Sequence, residues 1–515
     1  MNGAEALIQT LTESGVEVCF ANPGTSEMQL VAAIDQQKGM RAILGLFEGV
    51  VTGAADGYGR MTDKPAATLL HLGPGLANGL ANLHNAKRAR VPMINVVGDH
   101  AVEHLKHDAP LTSDIIGLAK PMSNWVRTSR SPSDLAEAGA EAVATSQTYP
   151  GQITTIIAPG DHAWTDGAKT ARMKDVLETP KSKQHTVAEA AEILSLTGPS
   201  AIFLGGRALR EGALVQAGRI AAKTRARIIC ETLPARLQRG VGRVAVERLP
   251  YFAEMAVEHL KGLKKIIFVG VKPPVSFFAY PDKPSWLSPE DATLIELADV
   301  QTDAEDALLR LAEAINAPKE PGNVQEATQL AFEQGKLTRE SLGIIISQLL
   351  PENAIVSDES GTSGGALFRH TASSPKHDWL IQTGGAIGQG LPVAVGAAVA
   401  CPNRKVLALQ ADGSGMYTLQ ALWTMARENL DVTTVIMKNN SYGILNIELG
   451  RVGVSNPGPK ALSLLDLANP ELDWVAMSEG MGVPAQRAET AQQFHDALAK
   501  GIKHSGPRLI EAVLV

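Results

Sequence analysis

The sequence contains few aromatic residues, few cysteines and no long apolar run. Aromatic side chains make up 4% of its 515 residues, and the three cysteines, Cys19, Cys230 and Cys401, lie far apart. This spacing excludes a disulfide framework and a cysteine-rich zinc site, and it is typical of a reducing compartment. The longest apolar stretch, around 391–400, contains proline and glycine and is shorter than the ~20 residues that span a bilayer. We therefore expect no membrane segment and a cytoplasmic protein.

An excess of one charge is also absent. The chain has 47 Lys and Arg residues and 54 Asp and Glu residues, which gives a net charge of −7 without long blocks of one sign. This balance argues against nucleic-acid binding. Glycine, in contrast, is abundant at 48 residues. Such a composition favours tight loops and the close approach of helices to sheets.

Short apolar runs of β-rich composition alternate with helical patterns along the whole chain. This alternation is typical of α/β folds with parallel sheets. At roughly 150 residues per domain, the length predicts about three domains. Polar stretches with proline, near 161–184 and 316–323, are the predicted linkers. We predict three doubly wound parallel-sheet domains, which cover 1–165, 185–316 and 337–515.

The most specific motif is an acidic turn followed by an asparagine pair. Asp412-Gly413-Ser414 follows one predicted strand, and Asn439 follows the next strand, 27 residues after Asp412. This spacing predicts a βαβ crossover, with Asp412 and Asn439 both at carboxyl strand ends, where ligands bind in open α/β sheets. Carboxylate and amide oxygens are suitable ligands for Mg²⁺ shared with a diphosphate. Either dipeptide alone would more simply be a turn.

These residues resemble the signature of the thiamine-diphosphate enzymes of the decarboxylase and acetolactate synthase superfamily. The superfamily has glycine where this chain has Ala411, while the acidic residue is retained. The resemblance covers essentially the whole chain. It implies that Asp412, Asn439 and the carbonyl group of Ser441 hold Mg²⁺, with Gly413 and Ser414 next to the diphosphate.

Glu48 lies among apolar residues at a predicted strand-to-helix junction, before a small-residue segment that ends in Gly57-Tyr58-Gly59-Arg60. The superfamily has its catalytic glutamate in this setting, where the carboxylate assists the aminopyrimidine ring of the cofactor. A helix cap is the alternative for a single glutamate at a helix start. The match over many neighbouring residues favours the catalytic role.

Further cofactor contacts follow from the resemblance. Gly385 and Ile387 lie in the glycine-rich strip 384–390, which resembles the segment that faces the aminopyrimidine. The carbonyl group of Gly385 would accept a hydrogen bond from the cofactor, and Ile387 would hold the cofactor in its bent shape. Thr362 would donate to the diphosphate.

On the substrate side, segments 22–27 and 69–75 resemble benzoylformate decarboxylases most closely. Thr25 stands where those enzymes have a serine, and His71 stands at their catalytic histidine. A histidine near the reacting centre is a plausible acid–base group, and a buried structural histidine is the alternative.

Other pocket positions depart from the benzoylformate decarboxylase pattern. The central region 275–283 has no second histidine, and Glu448 and Ile381 stand where aromatic residues are expected. Ile444 is bulkier than its counterpart, so the pocket is predicted to be less suited to an aryl group. His107, in a histidine-bearing loop, is a further candidate for substrate contact.

The resemblance also implies an assembly. The site would form between the first domain of one copy and the third domain of another, in a homodimer or a dimer of dimers. In the central domain, Gly205-Gly206 forms a degenerate dinucleotide-type loop, so bound FAD or ADP is possible there but not favoured.

The function predicted from the sequence is a thiamine-diphosphate- and Mg²⁺-dependent decarboxylase of a 2-oxo acid, acting through a C2 ylide and an enamine. An acetolactate synthase-like carboligase or a 2-hydroxyacyl lyase on the same scaffold is the alternative. A nucleotide-binding oxidoreductase is less favoured, because no compact Gly-x-Gly-x-x-Gly turn is present. A non-catalytic relative is less favoured because Glu48, Asp412 and Asn439 are all retained.

Overall fold

The computed structural model describes the chain from Met1 to Val515 as three mostly parallel β-sheets with flanking helices. This architecture confirms the predicted α/β class. None of the helices combines the length and the apolar character needed to cross a membrane.

The first sheet is wholly parallel and has the order β2-β1-β3-β4-β6-β5. Its strands are β1 (Val18–Asn22), β2 (Arg41–Leu44), β3 (Ala66–Leu70), β4 (Met93–Asp99), β5 (Trp125–Thr128) and β6 (Ile153–Pro159). Its helices are α1 (Gly3–Glu13), α2 (Met28–Asp35), α3 (Glu48–Thr62), α4 (Leu72–Ala89), α5 (Ile115–Ala119), α6 (Pro132–Gln147) and α7 (Gly160–Trp164).

The central part of the chain forms a second parallel sheet, in the order β10-β8-β7-β11-β12. The strands of this part are β7 (Ser200–Leu204), β8 (Arg227–Cys230), β9 (Leu237–Arg239), β10 (Glu247–Arg248), β11 (Lys265–Val269) and β12 (Thr293–Ala298). The helices are α8 (Gln184–Ser195), α9 (Glu211–Thr224), α10 (Ala253–Leu260) and α11 (Ala304–Ala314).

The third sheet has the order β17-β18-β16-β15-β13-β14-β9. Its strands are β13 (Ile355–Glu359), β14 (His377–Ile381), β15 (Val406–Ala411), β16 (Val432–Lys438), β17 (Ala485–Ala488) and β18 (Arg508–Val513). The helices are α12 (Arg339–Leu349), α13 (Leu367–His370), α14 (Gly390–Ala400), α15 (Asp412–Gly415), α16 (Ala421–Arg427), α17 (Gly443–Arg451), α18 (Pro459–Ser463), α19 (Trp474–Gly480) and α20 (Ala491–Lys503).

Strand β9 is the one antiparallel member of the third sheet, although it comes from the central part of the chain. It pairs with β14, with Leu237 opposite Trp379. The sequence pattern did not predict this strand, because three residues are too few to show a period. Because β9 belongs to the central part of the chain but pairs in the third sheet, the sheets do not follow the predicted boundaries strictly. The domain boundaries at 1–165, 185–316 and 337–515 remain a proposal.

Helices α3 and α14 join the first and third sheets through small residues. A Cβ atom at Gly57 would lie 2.1 Å from the carbonyl oxygen of Val393, and a Cβ atom at Gly396 would lie 1.8 Å from that of Ala54. Only glycine allows the two backbones to approach so closely. The resulting core of 40 buried residues spans both units and fixes the carboxyl edges of their sheets relative to each other.

Candidate active site

Glu48 is the first residue of α3 and follows strand β2 through a short loop. Its side chain is buried, and its Oε2 atom accepts a hydrogen bond from the Nδ2 atom of Asn78 at 2.9 Å. A Cβ atom at Gly75 would lie 3.2 Å from Oε1, so a glycine leaves room beside the second carboxylate oxygen. One oxygen is thus held by Asn78 and the other faces a glycine.

His71 follows strand β3 and occupies the position directly before α4. Its Nδ1 atom lies 2.8 Å from Oε2 of Glu27 and 3.3 Å from Oγ of Ser26. Glu27 is fully buried and also accepts hydrogen bonds from the Gly24 N–H and the Ser26 hydroxyl. The imidazole is therefore held in one orientation through Nδ1. Its side chain stays 22% exposed, so the ring is accessible from outside.

Neither Glu27 nor Ser26 was predicted from the sequence, and no hydrogen bond joins Thr25 to His71. Thr25 is exposed, whereas Ser26, one residue later, contacts the imidazole. Two glycines make room for the contact between His71 and Glu27. A Cβ atom at Gly24 would lie 2.2 Å from the His71 ring, and one at Gly98 would lie 1.8 Å from Glu27 Oε1.

The backbone beside His71 is strained. Leu72 has a φ of 50°, in the left-handed region that a leucine rarely adopts. Such strain is typical of functional sites, where the surrounding structure holds an unfavourable conformation in place. Here the following helix, α4, begins at this residue, so the strain turns the chain sharply at the imidazole.

Asp412 lies at the carboxyl end of β15, at the first position of α15. Its carboxylate accepts backbone hydrogen bonds from Gly413 at 2.9 Å, Asn439 at 3.0 Å and Asn440 at 2.7 Å. Burial raises the pKa of Asp412, and these three N–H donors act in the opposite direction. The predicted crossover thus brings Asp412 and Asn439 together.

The loop after β16 supplies more oxygen atoms at this edge. The Oδ1 atom of Asn439 accepts a hydrogen bond from the Ser441 N–H at 3.1 Å, and its Nδ2 atom donates to Ser363 Oγ at 3.3 Å. Thr362 lies in the same turn as Ser363. A Cβ atom at Gly443 would lie 2.8 Å from Thr362 Oγ1. The turn 361–364 and the loop 439–443 are therefore in contact.

Gly413 and Ser414 lie at the start of the short helix α15. A Cβ atom at Gly413 would lie 2.7 Å from the ring of Tyr442, so this glycine is needed for packing as well. The Ser414 hydroxyl accepts a hydrogen bond from the Gln410 side chain at 2.5 Å and donates to the Ala411 carbonyl at 3.3 Å. Both residues are buried beside Asp412.

A buried glutamate that the sequence did not reveal joins this edge to the glycine-rich strip. Glu359 accepts hydrogen bonds from the Gly388 N–H at 2.7 Å, the Gly390 N–H at 2.6 Å and the Gln410 side chain at 3.1 Å. Burial raises the pKa of Glu359 to about 7, although these hydrogen bonds lower it. The strand end of β13 thereby fixes both the strip and the start of α14.

The strip itself is held by α4 of the same chain. Asn85 donates to the Ala386 carbonyl at 2.7 Å and accepts from its N–H at 3.2 Å, and His84 contacts the Gly384 carbonyl at 3.0 Å. Gly385 has a φ of 82°, and a Cβ atom there would meet nothing within 4 Å. Ile387 is half-buried beside it. The strip therefore presents an exposed backbone with open space in front.

The predicted substrate-pocket residues lie in different settings. Ile381 packs in the core of the third sheet, and its carbonyl oxygen accepts a hydrogen bond from Arg60 at 2.7 Å. Ile444 is half-buried on α17, and His107 is exposed in the turn Leu105–His107. The Glu448 carboxylate on α17 accepts a hydrogen bond from the Tyr280 hydroxyl at 2.5 Å. Glu448 thus ties α17 to the central part of the chain.

The central glycine loop also has a defined arrangement. Gly206 has a φ of 53°, and its N–H donates to Glu231 Oε1 at 3.0 Å. In a dinucleotide-binding loop that N–H would face a phosphate group. A carboxylate already takes the donor here, which weighs against FAD or ADP at this loop.

Two sets of candidate residues result, one at each sheet edge. Glu48 and His71 belong to the first sheet, and Asp412, Asn439 and Gly385 belong to the third. No hydrogen bond within the chain joins the first set to the second: Glu48 bonds to Asn78 and Thr52, and His71 to Glu27 and Ser26.

Two protein-family models match the segments that contain these two sets of residues. The model for the thiamine pyrophosphate enzyme N-terminal TPP binding domain covers residues 1–118, and that for the C-terminal TPP binding domain covers 359–512. A Mycobacterium tuberculosis protein, IlvX, whose name provisionally assigns it as an acetolactate synthase large subunit, is 52% identical over 100% of this chain and 99% of its own. The chain belongs to the thiamine pyrophosphate enzyme family.

More distant relatives of this thiamine pyrophosphate enzyme include a benzoylformate decarboxylase of Pseudomonas aeruginosa, 28% identical over 98% of this chain and 97% of its own. Among solved structures, a thiamine diphosphate-dependent 4-hydroxybenzoylformate decarboxylase of Rhodococcus jostii has a TM-score of 0.87, with 24% identity, over 100% of this chain and 99% of its own. The last likeness establishes the fold alone. The family works with thiamine diphosphate, the same compound as thiamine pyrophosphate, and usually with Mg²⁺, and its members are carbon–carbon lyases or carboligases.

The residues at the third sheet fit this cofactor. Asp412 is a buried carboxylate on which no lysine or arginine acts. An unpaired buried charge is unfavourable, and Mg²⁺ prefers carboxylate and amide oxygens such as those of Asp412 and Asn439. The open backbone at Gly385 leaves space for a flat ring. Cation and ring would thus both find matching surfaces on this chain.

Proposed function

We propose that this chain is a non-oxidative decarboxylase of a 2-oxo acid, dependent on thiamine diphosphate and Mg²⁺, in which His71 is the acid–base group. The observation that carries the proposal is the contact of His71 with buried Glu27 at 2.8 Å. A carboxylate that fixes Nδ1 leaves Nε2 directed away from it, ready to exchange a proton with a substrate. A protonating group at the reacting centre favours release of an aldehyde.

Glu48 is the proposed catalytic carboxylate toward the cofactor. Asn78 holds Oε2, and Oε1, beside Gly75, is the oxygen that would share a proton with the pyrimidine ring. When bound, the cofactor would supply the carbon nucleophile for a 2-oxo acid and accept the electron pair that is left when CO₂ departs. In this scheme Glu48 holds one proton at Oε1, and His71 moves another at Nε2.

On the third sheet, Asp412, Asn439 and the Ser441 carbonyl are the proposed Mg²⁺ ligands. Gly413, Ser414 and Thr362 would contact the diphosphate, and Gly385 and Ile387 the pyrimidine ring. The contacts of the two loops with each other and the unpaired charge of Asp412 support this assignment.

We propose that the two sets meet through a second copy of the chain. Glu48 and His71 form their hydrogen bonds within the first unit, so we infer that they face the diphosphate residues of another copy. Helix α17, next to the proposed metal loop, exposes Leu445 and Ile447, an apolar surface that such an arrangement would cover. A homodimer or a dimer of dimers is therefore proposed.

A second candidate function is an acetolactate synthase-like carboligase. The 52% identity with the Mycobacterium tuberculosis relative favours it. The two functions share the cofactor and loss of CO₂, and they differ in whether a proton or a second carbonyl compound then enters the site.

The first test replaces the proposed catalytic carboxylate. In Glu48→Gln the carboxamide cannot hold the proton, so we expect CO₂ release to fall by at least about 100-fold while thiamine diphosphate still binds with Mg²⁺. Release of ¹⁴CO₂ and titration of cofactor fluorescence measure the two quantities. The matched control is Glu137→Gln, an exposed glutamate of the same unit, which should keep full activity. Wild-type turnover in Glu48→Gln would refute the assignment.

The second test separates the two functions. The enzyme is given aliphatic, aromatic and acidic 2-oxo acids, and the products are identified by mass spectrometry. We expect aldehydes to dominate, with aliphatic acids preferred over aromatic ones, because the proposed pocket residues Glu448 and Ile444 would make the pocket polar and narrow. An acetohydroxy acid as the main product would establish the carboligase instead, and a preference for aryl substrates would overturn the pocket interpretation.

A further inference from the structure

A small cavity lies between the first and central units, at the carboxyl edge of the central sheet. Its volume is about 30 Å³. Five arginines and one carboxylate line it: Arg60, Arg90, Arg207, Arg210, Arg236 and Asp63. Like charges at such short range repel each other unless anions compensate them. The balance of charge around this cavity therefore indicates what the cavity can bind.

Two of the five guanidinium groups are paired with carboxylates outside the cavity. Arg60 binds Asp56 through two hydrogen bonds, of 2.7 and 2.8 Å. Arg236 binds Asp378 at 2.5 Å, a carboxylate that Arg404 also contacts. Three arginines remain to be balanced.

Arg207 and Arg210 share a single carboxylate, that of Asp63, each at 3.5 Å. The Asp63 side chain is 40% exposed, and solvent weakens ion pairs of this kind. The third, Arg90, lies near Glu231 and Asp299, which raise its pKa, although burial has the larger effect and lowers it. The uncompensated charge therefore falls chiefly on Arg207 and Arg210.

Single atoms of the Arg210 side chain also lack partners. Its Nε and Nη1 atoms are buried and have no hydrogen-bond acceptor. Burial, together with the neighbouring Arg236, lowers the pKa of Arg210 to about 9. Buried donors without acceptors are rare in folded proteins because each one costs free energy.

We propose that this cavity binds one tetrahedral oxyanion of the size of inorganic phosphate, held by Arg207 and Arg210 with Arg90 on the far side. The planar fork of a guanidinium group matches such an anion with two parallel hydrogen bonds. The cavity, of about 30 Å³, is of a size that one small ligand or a few water molecules occupy. A nucleoside would not fit, and Glu231 already occupies the Gly206 N–H that a nucleotide diphosphate would need.

The proposed anion would lie next to contacts that connect all three units. Arg236 donates to the Arg60 carbonyl at 3.0 Å in the first unit and binds Asp378 in the third. Arg60 also donates to Thr383 Oγ1 at 3.1 Å, two residues before Gly385. Bound phosphate is therefore expected to stabilise the whole chain against unfolding.

The test uses the enzyme saturated with thiamine diphosphate and Mg²⁺, so that the diphosphate site is filled. Inorganic phosphate is titrated by calorimetry at constant ionic strength, adjusted with NaCl, and thermal unfolding is followed in parallel. We expect one phosphate per chain and a rise in the unfolding midpoint of about 2–4 °C at saturating phosphate. Arg210→Gln should weaken phosphate binding at least tenfold. The control Arg219→Gln, an arginine that bonds to Pro318 and Gln216 away from the cavity, should leave it unchanged.

A purely structural role of Arg210 gives a different result. In that case Arg210→Gln lowers the midpoint equally with and without phosphate. In the proposed case the variant is at least as stable as the wild type without phosphate, because an unpaired charge has been removed, and it loses the phosphate-dependent increment. If Arg210→Gln fails to fold, Arg207→Gln, at the more exposed arginine, gives the same test. Absence of phosphate binding, or binding of AMP more tightly than phosphate, would overturn the proposal.

Discussion

Asp412 and Glu231 occupy equivalent places in two sheets, and yet their surroundings differ. Each carboxylate directly follows a strand, β15 or β8, at the carboxyl edge of a parallel sheet, and burial raises the pKa of both. Asp412 accepts three backbone hydrogen bonds and meets no cation. Glu231 bonds to the N–H of a glycine loop and lies near Arg90. Topology determines where a ligand can bind, and the neighbouring charges determine whether it is a cation or an anion.

The largest expected effect comes from removing the charge at the third sheet. Asp412→Asn keeps the shape of the side chain but loses the anionic ligand, so affinity for Mg²⁺ and thiamine diphosphate should fall at least about 100-fold, with turnover lost. Glu231→Gln is the matched change at the central sheet. It should leave cofactor affinity within about twofold of wild type, which is the size of change that substitutions away from a binding site usually cause. Titration of cofactor fluorescence measures both. Equal losses of cofactor affinity in the two variants would show that the third sheet is not the specific site of the cation.

The pH dependence of stability should also differ between the two edges. Glu359, at the third sheet, has its pKa raised from 4.5 to about 7 by burial, so the folded protein takes up this proton more readily than the unfolded chain. Its contribution to stability is complete below about pH 4.5 and is lost as the pH rises through 7. The change amounts to roughly 2–3 kcal/mol. Unfolding midpoints between pH 4.5 and 8 should show this slope in the wild type and a flatter one in Glu359→Gln.

The control for this experiment is Glu231→Gln, since Glu231 is the less buried of the two glutamates. Its removal should flatten the profile by a smaller amount. A Glu359→Gln profile that parallels the wild type would show that another group is responsible for the slope.

The smallest expected effect concerns two loop glycines with left-handed backbones. Gly385 has a φ of 82° and Gly206 one of 53°, and a Cβ atom at either would meet no atom closer than 3.5 Å. Alanine at each position should therefore destabilise the fold by about 1 kcal/mol through backbone strain alone. Only Gly385→Ala should also weaken thiamine diphosphate binding, because the added methyl group would enter the open space in front of the strip; a cost of about 1 kcal/mol in that contact corresponds to about a fivefold loss of affinity. A similar loss of thiamine diphosphate affinity in Gly206→Ala would indicate that the loop of the central sheet also contacts the cofactor.

Local motifs were the features that could be predicted from the sequence. Asp412 and Asn439 lie on neighbouring strands of one crossover, and their spacing alone brings them together. Glu48 was recognised because the strand, the loop and the small-residue helix around it are continuous in the chain. Strand β14 is harder to recognise in the sequence because Asp378 interrupts its apolar pattern, and that buried charge is compensated by Arg236 and Arg404 from elsewhere.

The sequence by itself determined the α/β class, the family resemblance and the residues at each strand end, because periodicity and short motifs depend on neighbours in the chain. Only the tertiary structure decided which side chains meet. Glu27 and His71 follow different strands, β1 and β3, which pair directly in the sheet, and the arginines of the cavity come from two units. Contacts of this kind depend on sheet order and on the close approach of backbones at glycines such as Gly24 and Gly98, which no local pattern specifies.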